Sequence, residues 1–191
     1  MIHETLLLFR DKLNNYIKLK AGLTDDVVEF LDGSVMDPIQ FPLNRIAPIV
    51  VNIQEERTMR PGDYYQPVER DGLKTEISPP IRIKLLVLFV ARFKDYSQGL
   101  RFLSLIIRFF QANRIIDRNA APDLPEEIDR LFVELLSMPV NEQNDIWNAL
   151  RTHYLPSVAY RVNMLVYKDG ETLAELNKLE EFAVDLQKFD R

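Results

Sequence analysis

Residues 81–93 read "IRIKLLVLFVARF" and residues 96–111 read "YSQGLRFLSLIIRFFQ". The first stretch alternates apolar and basic residues through Lys84 and is then continuously apolar from Leu85 to Ala91. That pattern predicts a central strand covered on both faces. The second stretch predicts the strongest helix in the chain. Tyr96, Leu100, Leu103, Ile107 and Phe110 line one stripe, and Phe102, Leu105, Ile106 and Phe109 widen it far beyond an ordinary amphipathic face. A narrow polar seam remains, made of Gln98, Arg101, Ser104, Arg108 and Gln111. Such a helix is buried on more than one side, by its own domain or by a neighbour.

Upstream, residues 5–20 place Leu6, Phe9, Leu13, Tyr16 and Ile17 at helical spacing, leaving Asp11, Lys12, Asn14 and Lys18 for the other face. Gly22 is placed to end this helix. "VVEFL" at 27–31 predicts a short strand closed by "DGS", and the proline-spaced "DPIQFPLNRIAP" at 37–48 predicts an extended surface loop. Residues 49–54 set Ile49, Val51 and Ile53 against Val50, Asn52 and Gln54, the signature of a half-buried strand. From 55 to 80 no apolar period is long enough for a core element, so a long loop is expected. It carries Tyr64 and Tyr65 flanked by Arg57, Arg60 and Arg70, residue types that dominate protein interfaces. A partner-binding loop and a solvated hairpin both fit that segment.

Downstream, "IDRLFVELL" at 128–136 reads as a strand, with a helix as the alternative. Residues 140–154 predict a helix with Ile146, Leu150 and Tyr154 at spacing four and Trp147 beside them, stopped by Pro156. Residues 158–167 alternate, with Val158, Tyr160, Val162, Met164 and Val166 on one side. After "KDG", residues 171–189 predict a final helix with Leu173, Leu176, Leu179, Phe182, Ala183 and Leu186 as its apolar face. Strands mixed with three to four helices, without regular alternation, predict a single α+β domain over 1–191, its helices lying on a mostly antiparallel sheet.

Composition narrows the function. Apolar residues make up 47 % and charged residues 28 % of 191, ordinary globular usage. The absence of cysteine excludes a disulfide framework, a thiolate zinc site and a cysteine nucleophile, and points to a reducing cytoplasm. The N-terminus does not read as a signal peptide, and "LLVLFVA" is far short of the roughly 20 residues of a membrane span. A net charge of −5 argues against general nucleic-acid binding. Residues 81–118 carry eight Lys/Arg against two acids, whereas 119–191 carry seven against fourteen. This asymmetry fits either head-to-tail docking of copies or two differently charged, solvated faces.

No catalyst is evident. Asp145, His153 and Ser157 are the residue types of an orienter, base and nucleophile, and Trp147 and Tyr154 crowd the same stretch. Ser157, however, follows a proline at the mouth of a strand and lacks a glycine-lined elbow. On one continuous helix Asp145 and His153 stand about 12 Å apart, too far for a hydrogen bond. The six glycines, at 22, 33, 62, 72, 99 and 170, form no phosphate-cradling loop. Two histidines at opposite ends of the chain give no metal site, and the acidic pairs Asp25–Asp26 and Glu126–Glu127 lack calcium-loop spacing. No cofactor is expected. The residues themselves reach a soluble α+β domain with no visible catalyst and with candidate interaction surfaces, and no further.

"YLPSVAYRVNMLVY", preceded by "NEQNDIWNAL" and by "PPIRIKLLVLFVARFKDYSQGLRFLSLIIRFFQAN", resembles the N-terminal domain of the cap, or tail-terminator, proteins of extracellular contractile injection systems of the antifeeding-prophage type. The opening "MIHETLLLFRDKLNNYI" is similar to the family's start. The resemblance is densest over 79–167 and lies in core-like positions. It implies a bacterial phage-tail-like particle on whose baseplate-distal end the protein forms a ring, expected to be a hexamer. There it stops growth of tube and sheath and holds one to the other. The implied partners are itself, the sheath protein and the inner tube protein, with no nucleic acid and no membrane insertion. The implied location is the bacterial cytoplasm during assembly and then the particle. Within that reading Arg101 and Arg108 are candidates for reaching acids of a neighbour. Arg57, Arg60, Tyr64, Tyr65 and Arg70 are candidates for touching tube or sheath. Some relatives continue into a further C-terminal region, whose roles are not carried over to a sequence ending after 171–189. A non-catalytic adaptor or assembly chaperone, and a small hydrolase using His153 and Ser157, are the competing readings.

Overall fold

The structure, a computed structural model, describes residues 1–34, 38–56, 66–70, 73–77 and 81–166. In chain order its elements are α1 (Ile2–Ala21), β1 (Arg45–Glu55), β2 (Gln66–Arg70), β3 (Leu73–Ile77), β4 (Ile81–Arg92), α2 (Tyr96–Ala112), β5 (Ile115–Asp117), β6 (Ile128–Leu136), α3 (Val140–Ala149) and β7 (Ser157–Val166). Five strands form one antiparallel sheet in the order β1-β4-β7-β6-β5, and β2 pairs with β3 alone. This is an α+β fold with three helices among the described residues. The expected helix at 171–189 lies outside them.

Strand β4 carries the pattern expected of it. Leu85, Val87, Phe89 and Ala91 enter a core shared with α1 and α2, while Leu88 and Val90 enter a second core shared with Trp147 of α3. Continuous apolarity follows, because both faces of this part of the strand are covered. Strand β7 repeats the logic: Tyr160, Val162 and Met164 face the first core and Ala159 the second. Phe110 of α2 sits at the centre of an aromatic cluster, with ring centroids 4.7 Å from Tyr160 and 5.2 Å from Phe9. Gly99 lets α2 lie close to the end of β4, since a Cβ there would stand 3.7 Å from the Ala91 Cβ and 3.3 Å from the ring of Phe93, just past the strand.

Several elements differ from expectation. The strand expected at 27–31 is reduced to a parallel bridge between Val28 and Ile46. It is held mainly by Asn14, whose Nδ2 donates to Val28 O while its Oδ1 accepts from the amides of Val27 and Val28. Asn14 is therefore buried at 4 % exposure, not on the polar face of α1. Strand β1 starts at Arg45 and includes Pro48, which an edge strand tolerates because it needs no donor on its outer side. A bulge between Val50 and Asn52 breaks the expected alternation. Ile49 and Val51 pack towards α3, but Ile53 pairs with Leu85 and is 56 % exposed. Helix α3 ends at Ala149, several residues before Pro156, because Arg151 takes φ 52 and the chain turns. Tyr154 is thus off the helix and exposed. Strand β5 was not expected; three residues are too few to carry a period.

Candidate functional site

Helix α2 is capped at its N-terminus by Asp95, whose carboxylate accepts the Ser97 amide at 2.9 Å. Its buried face is Gly99, Phe102, Leu103, Ile106, Phe109 and Phe110. The stripe expected to lead with Tyr96 and Leu100 is therefore rotated: Tyr96 is 66 % and Leu100 41 % exposed. The sheet lies under only one side of the helix, so the outer edge of its over-wide apolar face has no cover within the described residues. Beyond Ile107 this edge runs into a groove of about 660 Å³, lined also by Arg114, Ile115, Phe132 and Leu135. The expected seam is in place, with Arg101, Ser104 and Arg108 exposed. Neither arginine makes an ion pair or hydrogen bond among the described residues.

The segment expected to be a loop contains the hairpin β2–β3, with Arg70 opposite Leu73 in its register. Short strands of mixed polar and apolar residues gave no detectable period there. Arg57, Arg60, Tyr64 and Tyr65 lie outside the described residues.

A second surface escaped the sequence reading. On the sheet face beyond α3, Arg82, Lys84, Arg130, Glu134, Arg161 and Asn163 line an open groove of about 550 Å³. Lys84 pairs with Glu56, and Arg161 approaches Glu134 at 3.8 Å. The Asn163 Oδ1 is buried without a partner among the described residues. The signal was polar residues at alternate positions of β4 and β7, visible only once the strands are placed side by side.

Asp145, His153 and Ser157 are not assembled as a catalytic group. Asp145 is exposed on α3, and His153 is exposed in the connection after the helix, on a groove of about 710 Å³ beside Arg92, Trp147 and Arg151. Ser157 opens β7 opposite Val90. Among the described residues no hydrogen bond joins any two of the three. No cluster of three or more His, Asp or Glu that could hold a metal ion occurs among them. No described helix is long and apolar enough to cross a membrane. The Tyr160 hydroxyl, pushed up to about 12 by burial, stays neutral at physiological pH.

The fold is similar to that of a PVC sheath/tube terminator solved by cryo-EM within an extracellular contractile injection system in its extended state. The TM-score is 0.57 at 16 % identity, over 88 % of this chain and 57 % of that one. It is similar also to the tube-terminating cap of the anti-feeding prophage, with TM-score 0.50 at 14 % identity over 82 % of this chain and 54 % of that one. The chain thus spans a little over half the length of either neighbour. No curated protein matches the sequence. Residues 7–177 match the Pvc16 N-terminal domain, and so the chain belongs to the Pvc16 N-terminal domain family.

Proposed function

We propose that the chain is the terminator module of a phage-tail-like contractile injection particle. It forms a ring, expected to be six-fold, on the baseplate-distal end, where it ends tube and sheath growth and holds the sheath to the tube. The observation that carries this reading is the fold shared with a sheath/tube terminator across 88 % of the chain. Family membership over 7–177 supports it independently of the coordinates.

In this reading the work is done by surfaces, and no bond is made or broken. The protein is assembled in the bacterial cytoplasm and leaves as part of the particle. Its partners are further copies of itself, the inner tube protein and the sheath protein, with no cofactor, metal or nucleic acid. Among the described residues the hairpin β2–β3 pairs with no strand of the main sheet. That separation supports its segment, with Arg57, Arg60, Tyr64, Tyr65 and Arg70, as the arm that touches tube or sheath. The exposed Arg101 and Arg108 support α2 as a contact between copies.

Electron microscopy of particles made with and without the protein tests the reading. Without it, tubes of uncontrolled length and loosened sheaths are expected, and labelled protein should mark only the end distal to the baseplate. Particles of unchanged length and sheath attachment would refute it.

A further inference from the structure

We infer that α2 of one copy docks on α3 of a second copy, through Arg101 and Arg108 on the first and Glu142 and Asp145 on the second. Helix α2 carries two arginines and no acid; α3 carries two acids and no base. All four side chains are exposed, and none forms an ion pair or hydrogen bond among the described residues. Such charges, left over on two helices, are complementary between copies and repulsive within any pairing of like helices.

Placement within the fold makes both surfaces available at once. Helix α2 packs on one face of the sheet and α3 on the other, each through its own core. Contact between unlike patches is heterologous, and a heterologous contact whose rotation closes gives a ring. Apolar surface lies ready on both sides. Leu100 is 41 % and Tyr96 66 % exposed on α2, and Val140, which opens α3, is 72 % exposed. Ser104 lies between Arg101 and Arg108 on the seam, and its small side chain lets a second helix approach between the arginines. The inference deepens the terminator reading and rests on it for ring closure alone.

Light scattering on a sizing column, over a concentration series at low and high salt, tests it with charge reversals on these exposed helix faces. The wild-type chain should associate, less so at high salt. Arg101→Glu/Arg108→Glu, and separately Glu142→Arg/Asp145→Arg, should each weaken association roughly thirtyfold, as two attractions become two repulsions. An equimolar mixture of the two variants should associate again, because every α2–α3 contact between unlike variants is once more complementary. Far-UV circular dichroism checks that both variants keep their helices. A wild-type chain that stays monomeric throughout, variants that associate like wild type, or a mixture that stays dissociated would each overturn the inference. Those failures leave the terminator reading intact, since it is decided by where the protein sits on the particle.

Discussion

Replacing Asn14 by leucine should be among the most damaging single changes to this fold, although the position looks like part of a solvated helix face. The side chain is 4 % exposed and fixes the strap at 27–29 with three hydrogen bonds of 2.8–2.9 Å. That strap supplies the outer edge of β1, donating the Glu29 amide to Ile46 O and accepting the Ile46 amide on Val27 O. Leucine fits the space approximately but leaves two amides and one carbonyl without partners. Each such hydrogen bond contributes about 1 kcal/mol net, and a stranded buried group costs about 1–3 kcal/mol unless water reaches it. A loss of roughly 3–5 kcal/mol follows, a large share of the roughly 5–15 kcal/mol that holds a domain together. For a chain of this size it corresponds to a fall in Tm of roughly 6–20 °C. Asn14→Asp keeps the acceptor and loses the donor while burying a charge, and it should also destabilise. Urea unfolding gives the free energies, and amide exchange at Val27, Val28 and Ile46 shows whether the strap opens first. A loss under about 1 kcal/mol for Asn14→Leu, with those amides still protected, would refute the reasoning.

Trp147→Ala should cost about 3–5 kcal/mol, since this side chain is 5 % exposed and anchors α3 against Phe41 and the sheet. Exchange should quicken in α3 while the α1–α2 core stays protected; uniform loss of protection would contradict two separate cores. The Tyr160 hydroxyl titrates at 10.0 when unfolded and at about 12 when buried. Its contribution is therefore complete below pH 10 and is lost as pH rises towards 12, by roughly 1–3 kcal/mol. Tyr160→Phe should flatten stability against pH in that window, and an unchanged alkaline slope would count against the buried hydroxyl as its source.

Much of the architecture is legible residue by residue. Strand β4 announces itself because both of its faces are covered, so its apolar run reports burial directly. Helices α1 and α2 and strand β7 follow from periods of 3.6 and 2, and Gly22 ends α1 with φ 66, as the left-handed end of a helix requires. The arginine seam of α2 is equally visible, because polar residues at helical spacing share a face wherever the helix packs. The hairpin β2–β3 and the edge strand β5 are not: strands of three to five residues are too short to carry a readable period.

What the sequence alone determined is most of each element's face, failing where a bulge shifts the register, as between Ile49 and Ile53, or where a polar residue such as Asn14 turns inward. Tertiary structure decided what each face meets. It alone turned Asn14 inward, because buried amides of a strap needed a partner. It left Tyr96 and Leu100 in solvent, because a sheet can cover only one side of a helix. It gathered Arg82, Lys84, Arg130 and Arg161 into one groove from three strands far apart in the chain. Local periodicity is a property of neighbours in sequence, whereas pairing of strands and choice of partner are settled by contacts that no local pattern encodes.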